Sequence, residues 1–199
     1  MTGRARFVQQ SLSHSAPHQT EPVPLPEAGR NPNVPQDPEL RARQEATALL
    51  TALKAKEGKK AFFLVVDDKP ANLEFMQEFI AEEANAKNTG HVISLKKDGE
   101  SAIRLYQAFR EQEDPEQRNK VVAVLDGQLD ERDRYKEGKQ VAQKLVEIST
   151  ANGWEVPYLV GRSGVSSLNR ELQEAYPDHY VSTFRRNSEE EFDAVVAKL

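Results

Sequence analysis

The sequence predicts a doubly wound α/β domain: a parallel sheet of five strands in the order 2-1-3-4-5, with helices on both faces. Three observations lead there. From Ala61 to the carboxyl terminus, short apolar runs alternate five times with segments of helical periodicity, a pattern that requires parallel strands joined by right-handed crossovers. Two of the runs, FLVV from Phe63 and VVAVL from Val121, are too uniformly apolar for a strand with one wet face and read as buried on both. Both end on carboxylates, Asp67 and Asp68 in one case and Asp126 in the other. In open sheets of this kind ligands bind at the carboxyl edge, where the strands stop and the loops open a crevice.

The chain divides into three parts. Residues 1–37 hold most of the prolines, interleaved with Ser, His, Gln and Asn, and show no apolar periodicity. Such a stretch buries too little surface to offset its ordering entropy, so it reads as a disordered, partly extended tail. It is a passive tail or a docking segment built on Val23 or Leu25. Residues 38–60 read as a helix and linker. Asp37 and Pro38 supply a cap and first turn, Leu40, Ala46, Leu49, Leu50 and Leu53 a narrow apolar stripe, and Gly58 an end. That stripe fits packing on the following domain and packing on a second copy of itself equally well.

Residues 61–199 form the main domain. After the first strand, Pro70 opens a helix with Leu73, Met76, Phe79 and Ile80 at helical spacing. His91–Leu95 is the second strand. Asp98 caps a helix carrying Ile103, Leu105, Tyr106 and Phe109. The polar run from Glu111 to Lys120 is longer than most α/β connections and is expected to be a solvated insertion. The third strand, Val121–Leu125, leads through the charged stretch DERDRYKEGKQ to a helix with Val141, Leu145, Val146 and Ile148. Pro157–Val160 is the fourth strand, followed by the glycine-rich turn GRSGVSS and a helix with Leu168 and Leu172. Tyr180–Phe184 is the fifth strand. Ser188 and Glu191 then form a capping box on a last helix that buries Phe192, Val195, Val196 and Leu199. The economical arrangement is flavodoxin-like.

Composition narrows the function. A net charge of −5 with no basic patch is unsuited to tracking nucleic-acid phosphates. The absence of cysteine excludes a disulfide scaffold, a thiol nucleophile and Cys-ligated zinc. No apolar run approaches the roughly 18 residues of a membrane span, and the amino terminus lacks a signal-peptide core. A cytoplasmic protein without membrane contact is expected.

The motif VVDDKPAN from Val65, followed by VLDGQL from Val124, resembles the receiver domain of two-component response regulators. The likeness runs from about Ala61 to Leu199. It implies that Asp67, Asp68, Asp126 and the backbone carbonyl of Gln128 bind Mg²⁺, and that Asp126 accepts a phosphoryl group. The donor would be a sensor histidine kinase or a histidine phosphotransfer protein. The domain would act as a phosphoacceptor with self-catalysed transfer, not a turnover enzyme, and would signal through protein contacts without a separate output domain. In the family a Ser or Thr ends the fourth strand; Arg162 takes that place, and Ser163 is the switch candidate. The fifth strand of the family reads aromatic-x-x-Lys-Pro. Tyr180 matches the aromatic switch residue, but Thr183 stands where the lysine would be, leaving Arg185, Arg186 or Arg162 as the cation. These departures also admit a degenerate receiver that serves only as an interaction module. A phosphatase of the haloacid dehalogenase type needs Asp-x-Asp after the nucleophile strand, which Asp126-Gly127-Gln128 lacks. The GxxxxGK[ST] phosphate loop is absent as well.

Overall fold

The structure, a computed structural model, describes residues 37–162, 166–184 and 187–199. The expected tail, Ser163, Arg185 and Arg186 lie outside them. Eleven elements follow in order: α1 Pro38–Lys54, β1 Ala61–Val66, α2 Pro70–Ala86, β2 Val92–Lys96, α3 Gly99–Gln112, β3 Lys120–Asp126, α4 Gly138–Ala151, β4 Tyr158–Arg162, α5 Ser166–Ala175, β5 Tyr180–Thr183 and α6 Glu189–Val196. All strand pairs are parallel, and the order is β2-β1-β3-β4-β5. This is the predicted doubly wound sheet.

Every residue of β1 is buried, as its uninterrupted apolar run requires in a strand covered on both sides. Alternation then divides the core. Phe62, Leu64 and Val66 face the layer built by α1, α3, α4 and α5, where Tyr106, Phe109, Leu145 and Leu172 lie. Ala61, Phe63 and Val65 face α2 and α6, meeting Met76, Ile80 and Phe192. Burying side chains of this size contributes about 1.5–3 kcal/mol each, so the two strands that carry the carboxylates are firmly held in the core.

Helix α1 packs on this domain. Ala42, Ala46 and Leu53 are buried against the α3 side of the core, and the Glu45 carboxylate accepts hydrogen bonds from Ser94 and Lys96 on β2. Asp37 caps the helix by accepting from the Glu39 N–H. Leu40, expected in the stripe, is exposed, because at 3.6 residues per turn it falls on the side of the helix opposite Ala42, Ala46 and Leu53.

The connection after α3 is solvated as expected along most of its length, with Glu113 the exception. Glu113 is buried, and its carboxylate meets the equally buried Arg110 guanidinium at 2.7 Å. Arg110 also donates to the carbonyls of Asn119 and Glu155. The loop is fastened from inside by a charge pair that its polar sequence disguises.

His91 precedes β2. Its Nδ1 accepts from the Ala61 N–H at 3.1 Å, and its ring packs against Phe63 and Phe192. Burial, reinforced by the Lys56 charge, pushes its pKa down from 6.5 to about 4. The folded state therefore keeps His91 neutral where the unfolded chain takes up a proton, and stability falls as pH drops through that interval. The expected contribution is a loss of about 3 kcal/mol between pH 7 and pH 4. An NMR titration of the His91 ring should find a pKa near 4; titration near the ordinary value for histidine would contradict it.

Candidate active site

The carboxyl ends of β1, β3, β4 and β5 meet at one edge of the sheet, and the candidate residues follow from the register. Val66 pairs with Leu125, so Asp67 and Asp126 come next on adjacent strands. Asp126 in turn pairs with Arg162. β4 runs two residues past the expected stop at Val160, and this extension carries Arg162 to the edge.

Oxygens of Asp67, Asp68 and Asp126 lie within 4.8 Å of one another. Two negative charges at such a distance repel by about 3–4 kcal/mol at an effective dielectric constant of about 20. Asp67 is fully buried and is answered on every side. Its Oδ1 accepts from the Lys69 backbone N–H at 2.9 Å, Asn72 Nδ2 reaches both oxygens, and Arg162 Nη1 meets Oδ2 at 2.7 Å. Asp68 is less well provided for, since its Oδ1 is buried without a hydrogen-bond partner. Burial and then the charge of Asp67 raise the pKa of Asp126, against the opposing effects of the Gly127 N–H, Lys69 and Arg162.

One guanidinium ion-paired to Asp67, with the exposed and solvent-screened Lys69 further out, leaves three clustered carboxylates short of positive charge. A divalent cation with hard oxygen ligands answers that deficit, and the unpartnered oxygen of Asp68 is a ready ligand. The residues present therefore fit Mg²⁺.

The loop after Asp126 is shaped by backbone contact. Gly138 opens α4 against the Asp126 carbonyl, and a Cβ there would approach that oxygen to 2.1 Å. Asp133, from the charged stretch, accepts from the Gly99 N–H at the start of α3, where a helix terminus favours a negative charge. Gln128 is exposed. It borders a small cavity lined also by Gly127, Lys139 and Leu168, beside the acidic cluster.

The remaining sequence candidates spread along β5. Thr183 pairs with Gly161 at the edge, but its hydroxyl accepts from Asn169 Nδ2 at 3.1 Å, so Asn169 of α5 holds it. Tyr180 lies at the other end of the strand, half-buried against the α5 side of the core. Sequence reasoning missed the roles of Asn72 and Asn169. Asn72 stood inside the VVDDKPAN motif, and its position one helical turn after the strand end was the available signal.

No family model matches the sequence, and no curated protein does. Solved structures similar to it include a response regulator receiver domain protein from Clostridium thermocellum, 12% identical, covering 69% of this chain and 92% of that one, with a TM-score of 0.47. The bacteriophytochrome response regulator RtBRR is 18% identical over 70% of this chain and 77% of its own, with a TM-score of 0.49. The signal receiver domain of an HD domain-containing protein from Pseudomonas fluorescens Pf-5 is 12% identical, covers 72% of this chain and 89% of that one, and has a TM-score of 0.45. The fold that the chain itself shows is the flavodoxin-like doubly wound sheet of order β2-β1-β3-β4-β5, and the roles of individual residues rest on the geometry above. No described helix is long and apolar enough to cross a membrane.

Proposed function

We propose that the protein is a phosphoacceptor receiver in which Asp126 takes a phosphoryl group from a phosphohistidine on a sensor histidine kinase or histidine phosphotransfer protein. The observation that carries this reading is the acidic cluster at the sheet edge, with its uncompensated charge and the unpartnered oxygen of Asp68. Asp67, Asp68, Asp126 and the backbone carbonyl of Gln128 would hold Mg²⁺. When bound, Mg²⁺ offsets the negative charge on the oxygens in flight. A carboxylate oxygen of Asp126 forms the new bond to phosphorus while the phosphorus–nitrogen bond of the donor breaks and its electron pair stays on the imidazole. Asp67, fixed by Asn72 and the Lys69 N–H, keeps the cluster in place and leaves Asp126 as the nucleophile. Ser163 and Tyr180 are the proposed switch residues. Output passes through protein contacts of β5 and the last helices, in the cytoplasm and without nucleic acid.

A second reading, the degenerate interaction module, is favoured by one observation: Arg162 already neutralises Asp67. Intact mass after incubation with acetyl phosphate separates the two. The receiver reading expects a gain of one phosphoryl group that needs Mg²⁺ and disappears in Asp126→Ala. No gain in the native chain, with no Mg²⁺ binding by titration, would leave the interaction module.

A further inference from the structure

We propose that Arg162 and the divalent cation compete for Asp67, and that the guanidinium, once displaced, becomes the counter-charge for the phosphoryl group on Asp126; the inference rests on the phosphoacceptor reading. A carboxylate offers about four lone-pair sites. At Asp67 three donors crowd them: Lys69 N–H on Oδ1, Arg162 Nη1 on Oδ2, and Asn72 Nδ2 straddling both oxygens. A metal ion that takes an Asp67 oxygen must therefore displace a donor. The Lys69 donor is backbone and fixed by the start of α2, and the Asn72 amide hangs on a short side chain. Arg162 alone is carried on a long, flexible stem, and it is the donor free to leave.

Its destination follows from the register. Arg162 is paired with Asp126 across the β3–β4 ladder, so both side chains project to the same side of the sheet. Its charge already acts on Asp126, as does that of Lys69. Lys69 is exposed, whereas the Arg162 side chain is 16% exposed and works where water screens less. The planar guanidinium matches phosphoryl oxygens with two parallel N–H groups. Thr183 does not supply this charge, and its hydroxyl is engaged by Asn169. The site thus carries its own cation on β4, and that cation guards Asp67 until metal arrives.

The test measures two quantities that move in opposite directions. Calorimetric titration of the full chain with MgCl₂ alone should show Arg162→Met binding tighter than the native protein by roughly tenfold, within the range usual for coupled sites, and Arg162→Lys falling between. Acetyl phosphate labelling should nevertheless be slower in Arg162→Met than in the native protein at saturating Mg²⁺. Should Arg162→Met fail to fold, Arg162→Gln, which keeps a neutral donor, is compared in the same way. Binding of Mg²⁺ by the variant but not the native chain also supports competition. Equal Mg²⁺ affinity in both, or labelling undiminished in the variant, overturns the inference while leaving the phosphoacceptor reading intact. No Mg²⁺ binding by either overturns both.

Discussion

Arg110→Ala is expected to destabilise the domain by about 3–5 kcal/mol, the cost of leaving a buried charge without its partner. The side chains of Arg110 and Glu113 are each 1% exposed. The guanidinium is used fully: Nη1 meets the Glu113 carboxylate and the Asn119 carbonyl, Nη2 the Glu155 carbonyl, and Nε the Tyr106 hydroxyl. Tyr106 continues the network to Ser149 on α4 at 2.6 Å. Truncation strands the Glu113 carboxylate and several carbonyls together, so the loss exceeds that of an ordinary surface pair, whose worth is about 0–1 kcal/mol. The pairing itself is not the source of the stability. Replacing both partners, as in Arg110→Met with Glu113→Leu, should recover much of the loss, since apolar substitutes of similar volume remove the stranded charge. Urea unfolding of the two variants checks the account. A loss below about 1 kcal/mol for Arg110→Ala would mean that the network is open to water.

Gly138→Ala is expected to cost at least about 2–3 kcal/mol, as overpacking against an atom that cannot move aside. The added Cβ would meet the Asp126 backbone oxygen at 2.1 Å and the Leu125 Cβ at 3.1 Å. Neither is the end of a flexible side chain, so α4 must shift away from β3. That shift reaches the chemistry, because the displaced carbonyl belongs to the proposed acceptor. Thermal unfolding should register the loss, and the Mg²⁺ affinity of the folded fraction should fall with it. Gly161→Ala makes a useful contrast. There the added carbon meets the Asn169 side chain at 1.8 Å, which can rotate away at the expense of its bond to Thr183.

How much of this could be read from the sequence depends on what each segment has to satisfy locally. β1 and β3 were legible because a strand covered on both faces must be apolar throughout, and the carboxylates at their ends were placed by the parallel register alone. The capping box at Ser188 was legible for a similar reason, as both of its bonds are local and are present. Arg162 was harder to place. Gly161 and Arg162 carry no strand propensity of their own, and pairing with Leu125 and Asp126 on β3 extends β4 over them. Glu113 could not be recognised as buried, because nothing in EQEDPEQRNK distinguishes it from its solvated neighbours; its partner is fixed by the turn at the end of α3. The stripe on α1 identified a helix but not what it packs on, since Ala and Leu suit either a domain face or a second copy. The Glu45 contact to β2 that ties α1 down joins residues far apart in sequence.

The central claim is that Asp126 itself carries the phosphoryl group. After incubation with acetyl phosphate and Mg²⁺, borohydride reduction converts an aspartyl phosphate to homoserine, and tandem mass spectrometry of the digest locates it. The account predicts homoserine at position 126 and nowhere else, with none formed in the presence of chelator. Homoserine at Asp67 or Asp68 instead, or an unmodified digest from a protein that binds Mg²⁺, would contradict it.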